Sequence, residues 1–83
     1  MIRVLFFANL RDYAGVDSIE LSADGIRSIR DLLSAFKGVL PEALIDALSD
    51  ESAMVSVDHK YAAWDAPLHD GAEVGLLPPV SGG

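Results

Sequence analysis

The chain contains no cysteine in its 83 residues. That excludes a disulfide scaffold, a thiolate zinc site and a cysteine nucleophile, and it fits a reducing compartment, so the cytoplasm is the expected location. No apolar run approaches the roughly 20 residues of a membrane span. The opening Met1-Ile2-Arg3-Val4-Leu5-Phe6-Phe7 is too short for a secretory apolar region followed by a small-residue cleavage site. Positive charge is scarce: six Lys and Arg stand against 13 Asp and Glu, a net charge of −7. Such a domain is repelled by phosphate backbones and anionic lipid, so no nucleic acid and no membrane is expected as a partner, and a basic protein surface is. There is no phosphate-binding glycine loop, so any nucleotide must be held by another protein. His59 and His69 stand in separate polar turns without a partner at metal-ligand spacing, which predicts two ordinary exposed imidazoles and no metal site. Asp65, His69 and Asp70 share a loop but lack a nucleophile with a defined base.

What the chain has is apolar content: 51% of its residues are hydrophobic, which makes it globular. Its length suffices for one small domain with a modest core, a size at which function is more easily built on a surface or a chain end than in a deep cleft. Residues 2–8 alternate Ile2, Val4 and Phe6 against Arg3, Leu5 and Phe7 and predict a strand. Asn9 as cap and Gly15 as terminator bracket one or two helical turns. Residues 17–21 alternate and predict a second strand, antiparallel to the first. Ile26, Ile29, Leu32, Leu33 and Phe36 recur at helical spacing and predict a helix over 27–37, capped by Ser28 or Asp24 and ended by Gly38. Pro41 suits the first turn of another helix, with Leu40, Ala43, Leu44, Ala47 and Leu48 as its stripe. Strands follow at 53–57, 61–64 and 73–77, joined by a polar turn at 58–60 and a loop whose turn signal is Asp70-Gly71. Trp64 is expected to anchor the core.

The order strand, strand, helix, helix, strand, short strand, strand predicts an α+β chain with one mixed sheet and helix on one face. With the last strand parallel to the first at the sheet centre, this is the β-grasp fold. The expected division is a β-grasp domain over 1–77 and a tail over 78–83. Strand parity turns Val4, Phe6, Val74 and Leu76 towards the helices and Leu5, Phe7, Gly75 and Leu77 away from them, with Tyr61 joining the second face. That second face is either a partner surface or covered by the chain's own loop.

The last residues read Pro78-Pro79-Val80-Ser81-Gly82-Gly83. Neither proline can donate to a strand ladder, and each holds its predecessor extended, so the tail is expected to leave the sheet as a semi-rigid spike. Glycine has no Cβ, so a Gly-Gly end can thread a narrow slot and present its α-carboxylate.

With Val4-Leu5-Phe6-Phe7-Ala8, Arg11, Gly15, Pro67-Leu68, Asp70-Gly71 and Glu73-Val74, this ending resembles the small subunit of molybdopterin synthase, a ubiquitin-like sulfur carrier. The resemblance spans nearly the whole chain. Its most specific parts are the first strand and the Pro-Pro-Val-Ser-Gly-Gly end, while residues 24–52 match only in pattern. Leu76 or Leu77 stands where the family has an aromatic residue.

The resemblance implies a sulfur-donor subunit without an active site of its own. Gly83 is adenylated by an E1-like activating enzyme that uses ATP and is then converted to a thiocarboxylate by a sulfur donor protein. Pro79, Val80, Ser81 and Gly82 enter the large synthase subunit, where sulfur passes to a cyclic pyranopterin precursor to build the molybdopterin dithiolene. Phe7, Arg11, Tyr61 and Leu77 are implied to contact that subunit, in an assembly of two small and two large subunits. No cofactor is bound by the chain itself. A carrier for thiamine, cysteine or tRNA thiolation, a protein modifier joined to lysines, and an interaction domain with an inert tail are the alternatives.

Overall fold

A computed structural model describes residues 1–79. Five strands form one mixed sheet: β1 (Ile2–Phe6), β2 (Ser18–Leu21), β3 (Met54–Val57), β4 (Lys60–Ala62) and β5 (Glu73–Leu77), in the order β2-β1-β5-β3-β4. β5 runs parallel to β1 at the centre, with Val4 opposite Val74, and antiparallel to β3. Three short helices, α1 (Asn9–Ala14), α2 (Asp31–Phe36) and α3 (Glu42–Leu48), complete the β-grasp arrangement expected from the sequence. Among the described residues no helix is long and apolar enough to cross a membrane.

The core lies between sheet and helices. Val4, Phe6, Val74 and Leu76 are no more than 3% exposed, as parity requires, and they meet Ile29, Leu32, Phe36, Leu44 and Leu48 from the helical layer. The Phe6 and Phe36 rings sit 5.9 Å apart at 59°, a tilted pairing that adds to burial worth about 1.5–3 kcal/mol per large apolar side chain. Trp64 is buried, as expected, and its indole N–H donates to the Ala53 carbonyl at 3.0 Å. In α3 Leu44 and Leu48 face the core, but Ala43 is exposed and Ile45 is half-buried.

The helix expected over 27–37 is shortened to Asp31–Phe36. The backbone before it is already committed elsewhere. Ile29 N–H donates to Ala66 O, Arg30 N–H to Trp64 O, and Leu68 N–H to Arg27 O, so residues 27–30 pair with the 64–68 loop. Neither Ser28 nor Asp24 caps it. Instead the Asp31 carboxylate reaches back to the N–H groups of Arg27 and Ser28, at 2.9 and 3.2 Å, and these hold its acid below the usual range. The Arg30 guanidinium pairs with Glu51 and ties the start of α2 to the loop after α3.

Asn9 also differs from expectation: it is the first helical residue and provides no cap. The chain turns one residue earlier, at Ala8, with φ 52° and ψ −132°. Leu10 N–H donates to Phe7 O at 3.1 Å, so Phe7 to Leu10 form a turn whose first central residue has type II′ geometry, a place glycine normally takes. Gly15 ends α1 as expected, at φ 77° with its N–H on Arg11 O.

The turn makes a prediction. A non-glycine residue in this region costs about 1–3 kcal/mol, against about 0.5–1 kcal/mol for the extra chain entropy of glycine. Ala8→Gly should therefore raise the unfolding free energy by about 1 kcal/mol, read as a higher denaturant midpoint at unchanged slope. A lower midpoint would contradict the turn assignment.

Candidate functional site

The sheet surface opposite the helices carries the site. Register places Ser18, Leu5, Gly75, Ser56 and Tyr61 in one row across β2, β1, β5, β3 and β4. Above that row, towards the end of β5, Leu77 stands opposite Met54, and Phe7 extends β1 by donating its N–H to Leu76 O at 3.1 Å. Phe7 is 44% exposed and Tyr61 72% exposed, so among the described residues no loop covers them. Phe7, Ser56, His59, Tyr61 and Leu77 line one open depression. Pro78 is half-buried and Pro79 exposed directly after it, so the chain leaves the sheet beside this depression.

Gly75 is the floor. A Cβ built there would lie 2.6 Å from Ser56 Oγ and 3.3 Å from the Phe7 ring. The missing side chain is what lets Phe7 lie down across β5 instead of standing off it. Polarity changes along the same face: at its other end Arg3 pairs with Glu20 at 3.3 Å and is in register with Glu73. The surface is thus apolar where the chain exits and charged where it does not.

One wall of the depression is the turn between β3 and β4. Asp58 and His59 both have positive φ, 51° and 71°, as a type I′ hairpin turn requires. The turn is clamped to β5: Asp58 N–H donates to Glu73 O at 2.8 Å, and Glu73 N–H donates to Asp58 Oδ1 at 3.0 Å. The second Asp58 oxygen meets His69 Nε2 at 2.9 Å, while His69 Nδ1 faces Asp70 O at 2.8 Å. The Glu73 N–H, then His69, hold the Asp58 acid below its ordinary range, and Asp58, then the Asp70 carbonyl, push the His69 imidazole up. His59 Nε2 lies 3.6 Å from Glu73 Oε2.

The structure brings Phe7, Tyr61 and Leu77 together as expected. Arg11 is not part of that group: on α1, its guanidinium faces Asp17 at 3.7 Å. Val80, Ser81, Gly82 and Gly83 lie outside the described residues. Met54, Ser56 and His59 belong to the face although sequence reasoning did not select them. Parity was the available signal for Met54 and Ser56, which alternate with buried Val55. His69 is exposed, as expected, but its ring is engaged by Asp58. Among the described residues no three metal-ligating side chains converge.

The packing at Gly75 can be tested by melting curves. Gly75→Ala should lower stability by about 1–3 kcal/mol through overpacking, and adding Ser56→Ala, which removes the closest atom, should recover part of it. Equal melting of the single and double variants would show that the contact is not limiting.

Comparison with known proteins agrees with this fold. Residues 4–83 match the ThiS family. The molybdopterin synthase sulfur carrier subunit of Escherichia coli is 36% identical, and that of Haemophilus influenzae 33%, each match covering all of both chains. The solved structure of SAMP1 from Haloferax volcanii superposes with a TM-score of 0.78 at 30% identity, over 99% of this chain and 98% of that one. The chain therefore belongs to the ThiS family and has its ubiquitin-like β-grasp fold.

Proposed function

We propose that this chain is the sulfur-carrier subunit of a molybdopterin synthase, working in the cytoplasm, and that its reactive group is the Gly83 carboxylate. The observation that carries the reading is the exposed apolar depression placed beside the exit of β5. A carrier needs both parts at once: a face that docks and an end that reaches. Full-length identity to two molybdopterin synthase sulfur carrier subunits supports the choice of pathway.

The chemistry follows from the poverty of a carboxylate as an electrophile. In an E1-like partner's site, the Gly83 carboxylate attacks the α-phosphate of ATP, pyrophosphate leaves, and a mixed anhydride with AMP results. Hydrosulfide supplied by a sulfur donor protein then attacks the acyl carbon, the bond to the phosphate oxygen breaks, AMP leaves, and the thiocarboxylate results. Pro79, Val80, Ser81 and Gly82 carry that group into the large subunit, where sulfur passes to the pyranopterin precursor. Positioning and charge stabilisation come from the partners' sites. This chain binds no cofactor in the scheme. Its contribution is the docking face formed by Phe7, Leu77 and Tyr61, with Arg11 acting from the rim.

Deleting Gly83, or adding one residue after it, should abolish sulfur loading and leave the melting curve unchanged. Incubation with the activating enzyme, ATP and a sulfur source should raise the intact mass by about 16 Da, one oxygen exchanged for sulfur. An isopeptide bond to a target lysine would instead identify a modifier, and an unmodified acid with competent enzymes present would identify an inert tail.

Docking has its own test. Buried aromatic anchors commonly cost about 2 kcal/mol or more when truncated, and an aspartate adds an unpaired charge. Phe7→Asp should weaken binding to the large subunit at least thirtyfold, by about 2 kcal/mol, with a much smaller change in melting. Loss of the fold with normal binding by the surviving folded fraction would place Phe7 in the core. An Arg11 variant should bind nearly as well, with its remaining effect lost in high salt.

A further inference from the structure

We infer that His69 is a positioning residue for docking: acting through Asp58, it holds the β3–β4 turn, and with it the His59–Tyr61 wall of the depression, in the geometry a partner meets. The inference rests on the docking role proposed above and adds to it a residue that lies outside the depression.

The geometry has three parts. First, the turn needs holding. Its two central residues are Asp and His at positive φ, where Asn-Gly or Gly-Gly is normally found, so its local preference is weak. Second, beyond the Asp58 N–H bond to Glu73 O and the His59–Glu73 contact, the Asp58 carboxylate is what ties the turn to the His69 loop. Asp58 spends one carboxylate oxygen on the Glu73 N–H of β5 and the other on His69 Nε2. Third, His69 is itself oriented, because its other ring nitrogen meets Asp70 O at 2.8 Å. His69 lies in the loop before β5, so loop, turn and central strand are joined through one carboxylate.

Both imidazole nitrogens face acceptors. Only the imidazolium donates from both; the neutral ring has one N–H and must turn a lone pair towards either Asp58 or the Asp70 carbonyl. The surrounding charges favour the imidazolium. Asp58 faces it from the β3–β4 turn, and the Asp70 carboxylate, which the Met1 ammonium also binds, lies beside it on its own loop. Beyond Asp58 stand Glu73 on β5 and His59 on the turn, 3.6 Å apart. The wall is therefore firm when His69 is charged and loosens as the pH rises through its raised titration point.

Both members of the pair are at least half exposed, and exposed pairs are worth little to global stability. The effect belongs to the turn and not to the fold. A loosened wall must be re-ordered on binding, which predicts a loss of affinity of about twofold to fivefold.

The test measures affinity for the purified large synthase subunit by calorimetry at about pH 5.5 and about pH 8.5, together with amide chemical shifts of the free carrier across the same range. The wild type should bind more tightly at the lower pH. The amides of Asp58, His59 and Tyr61 should follow the His69 imidazole titration. His69→Gln, and Asp58→Asn, which keeps an acceptor for the Glu73 N–H, should fold and bind with the pH difference reduced or abolished relative to wild type. His59→Gln should retain it. Retention in His69→Gln with loss in His59→Gln overturns the inference, since the pH difference would then depend on His59 at the wall and not on the hold of His69 on the turn. Amides that ignore the His69 titration overturn it whatever the partner does. If the wild type binds at neither pH while the amides still follow His69, the docking reading fails, and the affinity half of this inference with it, whereas the hold on the turn is established.

Discussion

The parallel pairing of β1 with β5 governs the rest of this structure. It joins residues near the two ends of the chain in the middle of the sheet, Val4 beside Val74 and Phe6 beside Leu76. Every second residue of both strands then points into the helical layer and is sealed from water. The alternate residues, Leu5, Phe7, Gly75 and Leu77, are forced onto the surface opposite α1, α2 and α3. One pairing thus makes a core and an exposed face from the same few residues, and it puts the chain exit at the end of a central strand and not of an edge strand.

Unusual backbone sits at the borders of that face. Ala8 turns the chain after Phe7, and Asp58 and His59 turn it before Tyr61, all at positive φ without glycine. Such conformations persist where surrounding contacts over-determine them. Here the contacts are visible: the Leu10 N–H on Phe7 O at one border, and the Asp58 clamp on Glu73 at the other. Glycine appears instead where space is short, at the floor beneath Phe7.

Much of this was legible beforehand. Period-two alternation in residues 2–7 and 73–77 determined those two strands and their faces, with Phe7 exposed and Leu77 half-buried on the outer one, because alternation reports directly on which side meets the core. Helix limits were less legible. The apolar stripe from Ile26 to Phe36 has helical spacing, yet residues 27–30 give their backbone groups to a loop some 35 positions later, and no local pattern announces that competition. Asn9 was a reasonable cap by type, but the strain at Ala8 moved the turn by one residue. The linkage of His69 to Asp58 was invisible for the same reason: residues in different turns meet only through tertiary structure, so spacing in the chain carries no signal of it.

The central pairing also has a consequence for how the chain is made. During synthesis, β1 emerges first and β5 last, and the slot beside β1 stays open until residue 77 has been released from the ribosome. The long-range closure is slow compared with local structure, and until it happens the apolar strands are unpaired. A chain broken off before β5 has neither a sealed core nor the face on which Phe7 rests. A break anywhere before β5 therefore removes the sealed core and the exposed face together, because both are made by the one pairing.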